Sequence, residues 1–133
     1  MSNYKHSEIT DKIIGAAYKV FGVLGYGFLE KVYENALCHE LSKMGLTVHQ
    51  QVPIHVYYDN LVVGDYFADI IVDDRVIVEL KAVSSIDPIH EVQLVNYLKA
   101  TDIEVGLLIN FGSTLAFKRR VLTKEYKTQK NAR

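Results

Sequence analysis

Three acidic residues and one lysine have the types and spacing of a site that holds a divalent metal ion. Asp69 lies ten residues before the run Glu79-Leu80-Lys81, and Glu30 lies inside an apolar helical stripe. Two carboxylates that converge on one point repel each other and raise each other's pKa unless a cation lies between them. A nearby ammonium suits an anionic phosphate or an attacking water. The chemistry that these residues predict is hydrolysis of a phosphodiester.

The strands that carry these residues must pair in one register for the site to form. Side chains alternate between the faces of a strand, so Glu79 and Lys81 share one face. Asp69 joins them only if it lies opposite Glu79, which predicts residue 72 opposite residue 76 and a loop at residues 73–75. The competing interpretation is a half-exposed hairpin whose charges face water.

Glu30 is expected to point into the core. At about 100° per residue, Tyr33, Leu37 and Leu41 fall within an arc of about 80°, and Glu30 falls inside that arc. An ionised carboxylate there is costly unless it is paired or bound to a metal ion. Glu34 falls at the edge of the arc, where we expect it to reach solvent or to meet a lysine.

Gln93 and Tyr97 are one helical turn apart on the helix that follows Lys81, with His90 on the same side. At this spacing they are able to orient a lysine or a substrate phosphate. The alternative is a core tyrosine with its hydroxyl at the rim, beside a solvated glutamine. The five histidines show no metal-ligand spacing, and we interpret them as structural.

The elements around these residues predict an α/β fold with a mixed sheet flanked by helices. Apolar periodicity predicts helices at 7–22 and 28–43, and β-branched runs predict strands at 47–58, 61–72 and 75–83. Asp87 and Pro88 predict the start of a helix that reaches about residue 100. A strand at 105–111 follows, almost wholly apolar and suited to the sheet interior. Residues 115–122 form a last element, strand or helix, after the order α-α-β-β-β-α-β.

Length and composition predict a single domain over residues 1–133. About half of the residues are apolar, enough for a core without disulfides. One cysteine, Cys38, excludes an internal disulfide and fits a reducing compartment, so we expect a cytoplasmic location. The charged N-terminus and the lack of a long apolar run predict a protein that is neither exported nor embedded in a membrane.

The charge of the chain is unevenly distributed. The net charge of -1 argues against a strong nonspecific nucleic-acid binder. From Lys118 to the end, however, seven basic residues stand against one acidic residue, Glu125. The basic tail at about 123–133 therefore has two interpretations, a contact for phosphates or a solvated, partly frayed terminus.

Five motifs in order give the chain a resemblance to the GxxExxY proteins of the PD-(D/E)xK nuclease superfamily. The resemblance runs from about Ile9 to Leu122. Its motifs are Gly27-Phe28-Leu29-Glu30-Lys31-Val32-Tyr33, Asp69, Glu79-Leu80-Lys81, Gln93-Leu94-Val95-Asn96-Tyr97-Leu98 and Gly106-Leu107-Leu108-Ile109-Asn110-Phe111-Gly112. The proline of the PD dipeptide is absent, because Ala68 precedes Asp69.

The resemblance implies a restriction-endonuclease-like core with a Mg²⁺-dependent site, in which Mn²⁺ would substitute. By carry-over, Asp69, Glu79 and the Leu80 carbonyl would hold the metal ion, and Lys81 would position or activate water. Glu30 would add a ligand directly or through water. Gln93 and Tyr97 match a QxxxY motif that in exonuclease-like members supports the site and contacts nucleic acid.

Three hypotheses about function remain open at this point. The first is a metal-dependent nuclease that acts on DNA or RNA. The second is a binding or scaffold subunit of the same fold without catalysis, favoured by the acidic body and by the lack of a separate DNA-reading domain. In the third, the segment from Lys118 to Arg133 binds RNA and the core has another role. At this length, a homo-oligomer or a protein partner would have to supply substrate specificity.

Overall fold

The computed structural model describes residues 5–131, with side chains described as far as Lys127. Its helices are α1 (Ser7–Leu24), α2 (Glu30–Lys43), α3 (Pro88–Lys99) and α4 (Lys124–Asn131). Its strands are β1 (Val48–Tyr58), β2 (Leu61–Val72), β3 (Val76–Lys81), β4 (Val105–Phe111) and β5 (Leu115–Val121). The predicted order α-α-β-β-β-α-β is confirmed, and the undecided element at residues 115–122 is the strand β5. The helix α4 that follows it was not predicted.

The five strands form one mixed sheet in the order β1-β2-β3-β4-β5. Neighbouring strands are antiparallel except β3 and β4, which are parallel. A parallel pair needs a crossover connection, and α3 supplies it. β1 is an edge strand with a register shift between Val56 and Tyr57, and it carries Pro53, which has no N–H to donate to a neighbouring strand.

Helices cover both faces of the sheet. Residues of α1 and α2 form one core cluster with one face of the sheet, and Leu94, Tyr97 and Leu98 of α3 pack in a second cluster. Every residue of β4 is buried, as its apolar composition predicted for an interior strand. The carboxylates are therefore carried by a sheet that is held from both sides.

The start of α3 is fixed by a capping box. The Asp87 side chain accepts a hydrogen bond from the Ile89 N–H at 3.0 Å, and His90 Nδ1 accepts one from the Asp87 N–H at 3.3 Å. Pro88 occupies the first turn, where its missing N–H has no cost. His90 thus has the structural role expected for the histidines.

The described part of the basic tail is anchored. Lys127 Nζ donates hydrogen bonds to the Thr101 carbonyl at 2.9 Å and the Ile103 carbonyl at 2.7 Å. This lysine therefore ties α4 to the turn before β4. The side chains of Lys130 and Arg133, which the charge count includes, lie outside the described residues. Within residues 5–131, no helix combines the length and apolar character that crossing a bilayer requires.

Candidate metal-dependent active site

The candidate site lies where β2 and β3 separate. Their pairing runs from Val72 opposite Val76 to Ile70 opposite Val78, around a loop at residues 73–75. Beyond Ile70 and Val78, hydrogen bonds between backbone N–H groups and side-chain carboxylates replace the pairing of the two backbones. The Asp69 N–H donates to Glu79 Oε2 at 2.7 Å, and the Leu80 N–H donates to Asp69 Oδ2 at 2.8 Å. The predicted turn length and register are confirmed, and they place the two carboxyl groups side by side.

Burial and mutual repulsion act on both carboxyl groups. The Glu79 side chain is buried among the sheet and α3, with a residue exposure of 8%. This burial, with the neighbouring Asp69 charge, raises the pKa of Glu79 from 4.5 to about 8. Burial also raises the pKa of Asp69, although the hydrogen bond from Leu80 opposes that change. The pair therefore retains a proton near neutral pH. The remaining carboxylate charge still makes the site electronegative.

Lys81 is the last residue of β3 and is partly buried. Its positive charge acts on both Asp69 and Glu79, lowering the pKa of each. Within the described residues its ammonium forms no salt bridge, so its N–H groups remain available. Asn110 fixes the backbone two residues after Lys81. Its side-chain oxygen accepts a hydrogen bond from the Val83 N–H and its side-chain amide donates one to the Val83 carbonyl, both at 2.9 Å.

The prediction that Glu30 points into the core is wrong. Glu30 is the first residue of α2, and both it and the preceding Leu29 are exposed. Its angle on the helical wheel lies within the buried arc, but its side chain is exposed at the first turn of α2, whereas Tyr33 and Glu34 further along the helix are buried. A helical wheel gives the direction of a side chain and not its position along the axis, which is where the inference failed.

Glu34, one turn further along α2, is the buried acidic residue. It is 3% exposed and does not reach solvent, but it meets a lysine, Lys31, which is the other environment expected for it. Lys31 Nζ donates to its Oε2 at 3.0 Å, and the side-chain amide of Gln50 donates to the same oxygen at 2.8 Å. Its charge acts on both Asp69 and Glu79, so Glu34 belongs to the same acidic cluster.

Gln51 links Glu34 to Asp69 at the fork of the sheet, the place where β2 and β3 separate. Its side-chain amide donates to Glu34 Oε1 at 3.0 Å and to Asp69 Oδ1 at 3.3 Å. Gln51 has a φ of 51°, a left-handed conformation that few non-glycine residues adopt inside a strand. Sequence reasoning missed this residue. The available signal was a pair of glutamines, Gln50 and Gln51, in an otherwise apolar and β-branched segment.

Tyr97 places α3 against the acidic cluster. The Gln93 side-chain amide donates to the Tyr97 hydroxyl at 2.6 Å, so the two residues of the predicted pair are in contact. Tyr97 is 5% exposed. Burial, followed by the Glu79 charge, raises the pKa of Tyr97, which places its ring within the electrostatic reach of the carboxylates. The structure therefore brings Tyr97 to the site, with Gln93 acting on its hydroxyl.

The atoms of this cluster that are suited to bind a metal ion are all oxygens. Carboxylates of Asp69, Glu79 and Glu34 and the Leu80 carbonyl are hard ligands of the kind that Mg²⁺ and Mn²⁺ prefer. In the arrangement described for residues 5–131, no three His, Cys, Asp or Glu side chains form a complete metal-binding group. Asp69 Oδ2 and Glu79 Oε2 instead accept backbone N–H groups. The chemistry of the residues fits a divalent ion, and ion binding requires the carboxylates to lose their proton and turn.

Comparison with known proteins agrees with this geometry. The sequence profile of a family described as "PD-(D/E)XK nuclease superfamily" matches residues 7–122. The solved structure entitled "Crystal structure of SSO0001" superposes with a TM-score of 0.51 at 18% identity. That match covers 92% of this chain but 62% of the other, so it supports the fold alone. No curated protein gives a significant match.

Proposed function

Because this chain belongs to the PD-(D/E)XK nuclease superfamily, we propose that it is a divalent-metal-dependent nuclease that hydrolyses phosphodiester bonds of DNA or RNA. Its mixed sheet flanked by helices is the restriction-endonuclease-like fold of that superfamily. The ion would be Mg²⁺, with Mn²⁺ as a substitute. A homo-oligomer or a protein partner would supply sequence preference.

One observation supports the proposal most strongly, the pair of hydrogen bonds that holds the two carboxyl groups side by side where β2 and β3 separate. The Asp69 N–H donates to Glu79, and the Leu80 N–H donates to Asp69. The buried carboxyl group of Glu79 and the partly buried one of Asp69 lie side by side, and Lys81 stands near them without a salt bridge to a described residue. Two carboxyl groups held side by side away from water repel each other and destabilise the fold. A divalent cation bound for function would remove that repulsion.

Each residue of the cluster has a distinct role in this proposal. Asp69, Glu79 and the Leu80 carbonyl hold the ion, and Glu34 takes the position that Glu30 was expected to fill. The ion, when bound, polarises the scissile phosphate and lowers the pKa of a bound water. Lys81 contacts the phosphate or orients the attacking water through its free N–H groups. Gln93 fixes the orientation of the Tyr97 hydroxyl at the edge of the site.

A cleavage assay with matched lysine variants tests the proposal. Labelled single- and double-stranded DNA and RNA are incubated with the protein and Mg²⁺ or Mn²⁺. Lys81→Ala and Glu79→Ala should abolish cleavage while circular dichroism shows a folded protein. Lys12→Ala is the control, since Lys12 is an exposed lysine on α1. Cleavage that survives both site substitutions would refute the assignment.

A binding or scaffold subunit is the second candidate function. It is favoured by the carboxylate oxygens that accept backbone N–H groups and by the lack of a complete metal-binding group among the described side chains. Calorimetric titration with Mg²⁺ or Mn²⁺ separates the two candidates. A nuclease should bind the ion in a manner that Asp69→Asn weakens, whereas a residual cluster should show no binding that depends on Asp69.

Three finer predictions stay open. Membership of the GxxExxY group rests on the motif at residues 27–33, whose glutamate is exposed and whose tyrosine is buried. Tyr33 gives the motif a structural role, since its hydroxyl donates to the Gly25 carbonyl at 2.7 Å and accepts the Phe28 N–H at 3.3 Å. The cytoplasmic location and the contribution of the basic tail to phosphate binding are likewise predictions.

A further inference from the structure

A groove of about 730 Å³ runs along α3, facing the β1–β2 hairpin. Aromatic rings from three elements line it, His55 and Tyr57 of β1, Tyr66 of β2 and Tyr97 of α3. The centroids of the Tyr66 and Tyr97 rings are 5.8 Å apart, and those of His55 and Tyr57 are 6.3 Å apart. The volume is within the range of ligand pockets, roughly 300–1,000 Å³.

Several of these rings are uncovered. Tyr57 is 61% exposed and Tyr66 is 45% exposed, although both have large apolar faces. The groove also contains the side chains of Gln93 and Asn96 and the exposed lysine Lys99. Rings that stack on bases, amides that read base edges and a cation for phosphate are the groups with which proteins bind unpaired nucleotides.

The groove and the acidic cluster share one residue. Tyr97 lines the groove, and the charges of Glu79 and Asp69 act on its hydroxyl. A strand whose bases lie in the groove would therefore have its backbone beside the carboxylates. Bases in a duplex are paired and stacked on each other, so their faces are not available to these rings.

We propose that this groove binds unpaired bases of a single-stranded nucleic acid and delivers the adjoining phosphate to the site at Asp69 and Glu79. The proposal rests on the nuclease function proposed above and adds its substrate class. Tyr57 and Tyr66 are the stacking residues, and Lys99 contacts the backbone. A second copy of the chain on the same hairpin is the other occupant that the test must separate.

The neighbouring tyrosines of the hairpin provide a matched pair of variants. Tyr57 lines the groove, and Tyr58, which is 70% exposed, is not among the groove's lining residues. Fluorescence anisotropy in EDTA, where cleavage cannot occur, measures the binding of labelled oligo(dT), an abasic strand of equal length and a duplex. Oligo(dT) should bind at least about tenfold more tightly than the abasic strand. Tyr57→Ala should remove about that factor, as expected for one lost base–aromatic stack, and Tyr58→Ala should not.

Four results would overturn the proposal. They are no binding of oligo(dT), equal binding of oligo(dT) and the abasic strand, tighter binding of the duplex, and equal effects of the Tyr57 and Tyr58 variants. Sedimentation showing a dimer that both variants weaken would assign the hairpin to subunit contact instead. The nuclease proposal fails separately. If the protein shows Tyr57-dependent binding but no metal-dependent cleavage, only the nuclease proposal is refuted. If it cleaves nucleic acid but its binding does not depend on the bases, only the groove proposal is refuted.

Discussion

Replacing Glu79 with glutamine should remove a large pH dependence from the stability of the metal-free protein. Glutamine keeps the oxygen that accepts the Asp69 N–H and removes the charge. In the wild type, the pKa of Glu79 is about 8 in the folded protein against an ordinary value of 4.5. The folded state therefore holds a proton that the unfolded chain releases. Stability from this group is fully present below about pH 4.5 and is lost as the pH rises towards 8.

The size of the effect follows from the two pKa values. At about 1.4 kcal/mol per pH unit, the interval between 4.5 and about 8 sets an upper limit of about 5 kcal/mol. Coupling to Asp69 and relaxation around the site reduce this limit, so we expect a loss of about 2–5 kcal/mol in the wild type relative to Glu79→Gln. A domain of this kind has a total stability of about 5–15 kcal/mol. The difference is therefore large enough to move a urea midpoint clearly.

Urea unfolding at pH 5, 6, 7 and 8 in EDTA measures the effect. Subtracting the Glu79→Gln curve from the wild-type curve isolates Glu79 from other titrating groups. Glu8→Gln, at an exposed glutamate of α1, is the control and should follow the wild type. Mg²⁺ should restore wild-type stability at pH 8 more than at pH 5, because binding competes with the proton. Parallel curves for wild type and Glu79→Gln, or equal stabilisation of both by Mg²⁺, would refute the reasoning.

Three further predictions test other parts of the structure. Glu34→Gln should weaken Mg²⁺ binding by about tenfold or more in calorimetry, as expected for a group that supports a metal site, while Glu30→Gln should leave it unchanged; equal effects would restore the discarded assignment. Gly106→Ala should lower the free energy of unfolding by about 1–3 kcal/mol, because an added Cβ would lie 2.7 Å from Cδ1 of the fully buried Leu94; an unchanged urea midpoint would argue against this close packing. Tyr33→Phe should cost about 1 kcal/mol through the lost hydroxyl hydrogen bond, measured in the same way, and a neutral result would mean that this bond does not anchor the loop before α2.

The sequence predicted the register of the site because the chemistry and the strand period constrain each other. A side-chain period of two permits Asp69 to meet Glu79 only with a loop at residues 73–75, and the pairing of β2 with β3 has that register. The start of α3 was predictable for a similar reason, since Asp87 suits the N-cap and Pro88 suits the first turn. These inferences depend on local rules that leave few alternatives.

The acidic residue of α2 was not predictable from the same rules. Glu30 and Glu34 lie within or beside one buried arc, about 40° apart on the wheel. Which of them is buried depends on what packs against each turn of α2, and that is a property of tertiary packing. Gln51 was missed because its contacts with Glu34 and Asp69 depend on a left-handed residue within a strand.

Locating a bound ion directly is the most decisive test of the acidic cluster. Crystals grown with saturating Mn²⁺ would give an anomalous difference map that shows where the ion lies. We predict a peak at the fork of β2 and β3, about 2.0–2.3 Å from carboxylate oxygens of Asp69 and Glu79, with Glu34 beside it and Glu30 remote from it. A map with no peak at this fork, or with a peak that neither Asp69 nor Glu79 contacts, would contradict the assignment of a metal-dependent nuclease site.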